Sequence, residues 1–358
     1  MDQGSPLLVS LYLSAYRRIH PPCGRPPCYG LILLKYGDPI QIYGLAGALF
    51  WKSTAGLHRP AAKNPGMSSS PRSVPLLPFT STEVLSRCRS FRSSETPILF
   101  IASYPKSGTT WLQCIVYYIL RRQDPQCEAM LDHISHFSPF FEHESTWDEL
   151  SSSIRQDLLQ NHLALHHHVF NTHLLPWMLP LAEPRVRAIY ITRRPKSVVT
   201  SFYHHLHNQV DHGGGLEDSF TTFLHRWFEG QLPYGTWVEH VSDWLSAPGQ
   251  TLFLAYEDLI ADLPAGVRQV SRFLGVALTP EEEDLIVARS SFHAMRDSID
   301  KFQPISVKWR PGFSFIRRGE VDDRSLFAEA GTEDLFDTKI SEEYRKVDFE
   351  QLSRFVRL

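Results

Sequence analysis

The chain has 358 residues, enough for one large domain or two modest ones with ample core. Aromatic residues make up 12% and charged residues 21%, a globular balance, and a net charge of −3 gives bulk nucleic-acid binding no electrostatic support. Five cysteines (Cys23, Cys28, Cys88, Cys114 and Cys127) are odd in number without paired C-x-x-C spacing, which reads as ordinary thiols in a reducing compartment.

Residues 1–94 differ in character from the rest. "RRIHPPCGRPPCYG" and "RPAAKNPGMSSSPRSVPLLP" are rich in Pro, Ser and Arg and poor in acids. The apolar "GLAGALFW" falls short of the roughly 20 residues a membrane span needs. Three readings compete: an organelle-targeting segment, a disordered extension, or translated sequence upstream of a start at Met67. Strand-like alternation in "LILLKYGDPIQIYGLAGALFW" spoils a clean amphipathic helix. The expectation is a disordered or dispensable extension over 1–94, ahead of a domain over 95–358.

From Thr96 onward the punctuation is regular. "PILFIAS" reads as a buried strand and "TTWLQCIVYYILRR" as a helix with basic residues at its end. "VRAIYIT" (186–192) is a second buried strand, with "RRPKSVVTSFYHHLHNQ" as the helix after it. "TLFLAYED" (251–258) is a third, followed by the helix "AGVRQVSRFLG". "TPEEEDLIVARSSF" then opens with Thr279 at N-cap, Pro280 at N1 and Glu282 at N3, a capping box. Buried strands alternating with helices predict an α/β fold, a central parallel sheet with helices on both faces.

Ligands bind such sheets at strand C-termini, and the loop after the first strand, Ser103 to Thr110, has the composition for an anion. Gly108 lets the backbone approach closely, Ser107, Thr109 and Thr110 offer hydroxyls, and Lys106 supplies a point charge. One ammonium–phosphate pair at 4 Å is worth about 4 kcal/mol at an effective dielectric near 20, before desolvation. The loop is P-loop-like without being a Walker A motif, because Lys106 precedes the only glycine. Arg193 and Arg194 emerge at the second strand's C-terminus, and Ser201 lies two helical turns on. Arg317, Arg318 and Gly319 form a third basic site, and three such sites suggest a ligand with phosphate at more than one position. For a general base, His173 sits just before an L-L-P turn, whereas the adjacent His166, His167 and His168 read as surface or structural.

These residues together resemble the cytosolic sulfotransferase family, whose members transfer a sulfuryl group from 3′-phosphoadenosine 5′-phosphosulfate (PAPS). "YPKSGTTW" is similar to the family's 5′-phosphosulfate loop, "NTHLLPWMLP" to its K/x-T-H-L-P segment, and "ITRRPKSVVTSFYHH" to its 3′-phosphate strand and helix. "LAYEDL", "SSFHAM" and "FIRRGEV" follow in the family's order. The resemblance implies that Lys106 stabilises the leaving phosphate, that Ser107 to Thr110 hold the 5′ end, and that His173 deprotonates the acceptor. It also implies that Arg193, Ser201, Arg317, Arg318 and Gly319 hold the 3′-phosphate. Trp111 and Phe292 would sandwich the adenine, with Tyr256 and Ser290 bonding to the nucleotide. "FSPFFEH" resembles the acceptor-pocket segment, making Phe140 and Phe141 candidate walls. Those rings and Trp147 suggest a small apolar or aromatic acceptor carrying a hydroxyl or amine.

The implied enzyme needs no metal, nucleic acid or membrane, and the implied location is the cytoplasm, with organelle targeting as the alternative. Asn171 stands where many animal members have a catalytic lysine, a plant-type feature. The dimerisation motif is degraded in "RSLFAEAGTE", so a monomer or weak homodimer is expected. The family's usual segment ahead of the loop is hard to find in residues 1–95. Three rivals remain: a P-loop kinase, for which Asp258 could hold Mg²⁺ but the Walker A lysine is misplaced; an esterase suggested by "HGGG" at 212–215, which lacks a G-x-S-x-G elbow; and a catalytically decayed PAPS-binding protein.

Overall fold

The computed structural model describes residues 72–93, 95–149, 166–210, 217–305, 307–316 and 325–353. Four parallel strands form one sheet: β1 (Ile98–Ala102), β2 (His168–Thr172), β3 (Val186–Thr192) and β4 (Gln250–Ala255), in the order β2-β1-β3-β4. The first and third match the sequence expectation closely. The predicted strand at 251–258 ends at Ala255, and a short helix Tyr256–Ala261 takes over. β2 was hidden in the sequence behind the His166–His168 run, because only Val169 and Phe170 carry its apolar signal.

Alternation divides the buried strand residues between two cores. Ile98, Phe100 and Ala102 of β1 point to one face with Ala188 and Tyr190 of β3. Leu99 and Ile101 point to the other with Ile189 and Ile191. A strand buried on both faces must be apolar throughout, which is why "ILFIA" and "AIYI" carry no polar residue facing water. Helices α1 (Thr82–Ser90), α2 (Thr109–Leu120), α3 (Pro195–His207), α4 (Phe220–Phe228), α5 (Trp237–Leu245), α6 (Leu263–Leu274) and α7 (Pro280–Arg289) cover these faces. α1, α3, α4 and α5 pack on the first core, and α2, α6 and α7 on the second. The α7 capping box forms as predicted, with the Thr279 and Glu282 side chains each bonded to the other's backbone N–H.

Residues 72–93, grouped with the extension in the sequence reading, are built into this unit. Ser81 caps α1, Val84 and Cys88 are buried in the first core, and the Tyr234 N–H donates to the Pro75 carbonyl at 2.7 Å. The other residues before 72, Met67 among them, lie outside the described residues, as does the "HGGG" segment. No described helix is long and apolar enough to cross a membrane.

The strand order places the site. β1 lies between β2 and β3, so the chain leaves β1 toward one side and returns after β2 on the other. The crevice at this reversal, outside the strands' carboxyl ends, is where an open α/β sheet takes a ligand. Ala102 is in register with Thr172, and Thr192 with Ala255, so all four strands deliver their next residues to one edge.

Candidate active site

Each strand contributes at that edge: Lys106 after β1, His173 after β2, Arg193 after β3 and Tyr256 after β4. All four line one cavity of about 850 Å³, together with Gly108, Thr109, Thr110, Trp111, Phe140, Asn171, Ser201 and Phe292. Among the described residues, no group of three or more His, Cys, Asp or Glu is placed to hold a metal ion.

The loop after β1 is shaped for an anion. Gly108 is the N-cap of α2 in the left-handed region (φ 110°) and provides no side-chain acceptor, so the first amides of α2 keep their donors for a ligand. A Cβ on Gly108 would meet the Tyr256 ring at 2.7 Å. Lys106 also has a positive φ, 67°, a conformation that costs a non-glycine residue about 1 kcal/mol or more. Its ammonium donates to His205 Nδ1 at 3.2 Å and lies 3.9 Å over the Phe315 ring. Ser107 Oγ is buried and finds no partner among the described residues, an orphaned polar atom at the base of the loop. A phosphosulfate fits this set of donors.

His173 is oriented by its neighbours. Its Nδ1 lies 2.8 Å from the Ser103 carbonyl, which can only accept, so Nδ1 carries the proton and Nε2 is the basic nitrogen. The Ser103 hydroxyl is also bonded to Thr109 Oγ1 at 2.6 Å, which links His173 to the loop after β1. Burial lowers the imidazole pKa to about 4; the Ser103 carbonyl opposes this, and the Lys106 charge adds to it. The ring is therefore neutral at physiological pH, as a base must be. Phe140 and Tyr234 stand edge-on to it, each with its centroid 5.5 Å away.

On the β3 side, the Arg193 guanidinium lies 4.3 Å over the Tyr256 ring. Ser197, Thr200 and Ser201 share one face of α3 and line the cavity with it, spacing that follows from the helical period. The Arg194 N–H turns away to Glu257 Oε1, at 2.9 Å. Trp111 is fixed by an indole N–H bond to the Ser290 carbonyl at 2.7 Å and stays half-buried, with Phe292 also bordering the cavity.

Three sequence assignments are corrected. Phe141 is not a pocket wall: it is fully buried, with its ring 4.8 Å from those of Phe100 and Phe170. Phe140 bridges to Asn171 in a strand-like register, so adjacent rings point to opposite sides and only Phe140 faces the cavity. Trp147 is likewise in the core, its indole donating to the Phe141 carbonyl. Ser290 is buried, and its hydroxyl donates to the Ile286 carbonyl at 2.6 Å; it serves the site through its own carbonyl on Trp111. Asn171 lines the cavity while its amide donates to the Ser138 carbonyl at 2.6 Å, so it braces the segment that carries Phe140. Arg317, Arg318 and Gly319 lie outside the described residues.

The sequence reading missed several cavity residues. Leu77, Pro78 and Phe79 come from the segment assigned to the extension, and they supply a wall sought ahead of the loop. The signal available was Ser81, an N-cap residue before the apolar periodicity of α1. His205 and Tyr234 were also missed; the tertiary fold alone brings them to Lys106 and His173.

The sulfotransferase domain family matches residues 96–355. Sulfotransferase 2A6 of Rattus norvegicus is 30% identical over 262 residues, spanning 71% of this chain and 87% of that protein. Sulfotransferase 1C2 of Oryctolagus cuniculus is 31% identical over 280 residues, spanning 73% and 88%. Among solved structures, mouse sulfotransferase SULT7A1 complexed with PAP has the same fold, with a TM-score of 0.59 at 23% identity over 78% of this chain and 95% of that one. The chain belongs to the sulfotransferase family and is a PAPS-dependent sulfuryl-transfer enzyme.

Proposed function

We propose that this enzyme transfers the sulfuryl group of PAPS to a hydroxyl, or less readily an amine, of a small apolar or aromatic acceptor, with His173 as the general base. The observation that supports it best is the pairing of a neutral His173, with Nδ1–H tied to the Ser103 carbonyl, and Lys106 in one cavity. His173 Nε2 takes the acceptor's proton as the acceptor oxygen bonds to sulfur. The bond from sulfur to the 5′-phosphate breaks, and its electron pair leaves on the phosphate. Lys106 and the α2 amides stabilise that charge, an electrostatic task that suits a helix N-terminus. An anionic donor beside Lys106 offsets the ammonium's field and raises the basicity of His173 toward the working range.

Arg193 and Ser201 hold the 3′-phosphate, joined by Arg317, Arg318 and Gly319. Trp111 and Phe292 stack on the adenine, and Tyr256 supports Arg193. Phe140, with Asn171 bracing its segment, borders the acceptor beside Phe79 and Tyr234. The protein works in the cytoplasm as a monomer or weak homodimer.

The first test is calorimetric binding of adenosine 3′,5′-bisphosphate against ADP with and without Mg²⁺, followed by PAPS assays over a panel of phenols, steroids and amines. Metal-independent preference for the bisphosphate and transfer to a hydroxyl acceptor are expected. His173→Ala should remove turnover by about 10²-fold or more while keeping bisphosphate affinity. Bisphosphate binding with no transfer to any acceptor would indicate a decayed enzyme, and preference for Mg²⁺-ADP a kinase.

A further inference from the structure

Glu142 is fully buried and stands behind the site rather than among the residues that line the cavity. It nonetheless touches three parts of it. Oε1 accepts from the His173 backbone N–H at 2.7 Å and from the Tyr234 hydroxyl at 3.2 Å. Its main-chain carbonyl accepts from the Thr80 hydroxyl at 3.0 Å, which fastens the N-terminal segment that carries Phe79. Oε2 is buried as well, and the Thr172 hydroxyl also favours the ionised carboxyl. Burying a carboxyl is expensive, and an uncharged acceptor would hold one amide at lower cost. A carboxyl at this place is explained by what lies on the other side of that amide, which is His173.

We propose that Glu142 is a positioning residue for His173: its ionised carboxyl fixes the base through the backbone N–H and the flanking Tyr234 through its hydroxyl, and its negative charge stabilises the imidazolium formed on proton uptake. This inference rests on the reading of His173 as the base. Burial pushes the Glu142 carboxyl up to about 7, against bonds from the His173 N–H and the Thr172 and Tyr234 hydroxyls that favour the ionised form. His173 itself is held near 4, so the two groups titrate in separate ranges. The other titratable groups facing Glu142 are Cys88 on α1 and Tyr234, both pushed upward by burial and neutral at neutral pH. On its own segment, His143 follows directly, with Nδ1 bonded to Ser145. Glu142 is thus the group in this cluster that changes charge near neutrality.

The test uses the full chain with ¹³C-labelled histidine rings, and His173→Gln identifies the His173 signal. Followed from about pH 5 to about pH 9, that signal should carry an inflection near 7 in the wild type. Glu142→Gln should abolish the inflection, and Tyr234→Phe should move it upward by removing a bond that favours the carboxylate. In the PAPS assay, Glu142→Gln should lower kcat roughly tenfold with KM for PAPS unchanged, a smaller loss than that of the base itself. It should also remove the inflection near 7 from the kcat profile. Superimposable His173 titrations in the wild type and Glu142→Gln would overturn the proposal, and so would an inflection unmoved in Tyr234→Phe should the first variant not fold. A wild type that binds bisphosphate but transfers to no acceptor would instead sink the enzymatic reading, while the ring titration still decides the coupling.

Discussion

Arg193 lies over the Tyr256 ring and lines the cavity from the β3 end, while Lys106 enters from β1. One nucleotide with phosphate at both ends would span the two. Charge-assisted hydrogen bonds are worth about 1.5–3 kcal/mol each, so Arg193→Ala should weaken adenosine 3′,5′-bisphosphate roughly tenfold to a hundredfold. Adenosine 5′-phosphate should be affected little. Calorimetry of both nucleotides checks this, and equal weakening would remove Arg193 from the 3′ end. At this scale the sequence was informative wherever a strand end dictated a side chain's direction, as for Lys106, His173 and Arg193. It was uninformative where two like residues adjoin. Nothing in "SPFFEH" says which phenylalanine faces inward; the bridge from Phe140 to Asn171 decides it. Ser290 was misread for a similar reason, since a hydroxyl at a helix end can turn back to a carbonyl of its own helix.

Among the elements, the strand–loop–helix from β1 to α2 depends most on one residue. Gly108 combines a positive φ with a ring packed where a Cβ would stand. Gly108→Ala should therefore lower stability by about 1–3 kcal/mol from backbone strain and, by pushing Tyr256 from Arg193, weaken bisphosphate binding as well. Gly275, which ends α6 with φ 75° and nothing within 4 Å of a Cβ, is the control. Gly275→Ala should lower Tm while leaving bisphosphate affinity intact. Wild-type affinity in Gly108→Ala would mean that the close approach of Tyr256 does not shape the site. β1 and β3 were legible because strands buried on both faces must be continuous apolar runs. β2 was not, because its histidine and asparagine interrupt the apolar run and leave only Val169 and Phe170 to signal it. Asn171 bonds the Ser138 carbonyl, and the neighbouring His167 accepts from Arg187. α1 was obscured by the Pro- and Ser-rich character of the segment before it.

Across the whole molecule, buried imidazoles govern the response to acid. Burial lowers His173 to about 4 and His240 to about 3, with His205 also well below its ordinary value. His240 ties the β2 and β3 sides together, bonding the His173 carbonyl through Nε2 and the Tyr190 hydroxyl through Nδ1. Groups whose folded pKa is depressed bind fewer protons folded than unfolded, so their stabilisation is full above the unfolded value near 6.5 and is lost as pH falls through the folded one. Glu142 runs the other way: its folded pKa is raised from 4.5 to about 7, so it contributes below 4.5 and loses that contribution as pH rises through 7. Each pKa unit is worth about 1.4 kcal/mol, and the imidazoles of His133, His168, His173, His205 and His240, all lowered by burial, oppose the carboxyls of Glu142, Asp243 and Glu257, all raised by it. Stability should therefore fall by a few kcal/mol between about pH 7 and about 4.5. Urea unfolding at several pH values in this range measures it as a falling midpoint. His240→Gln, which keeps a polar side chain but cannot take up a proton, should unfold more easily at neutral pH yet show a shallower decline. A midpoint independent of pH in the wild type, or an unchanged slope in His240→Gln, would mean that the buried histidines are not what acid attacks.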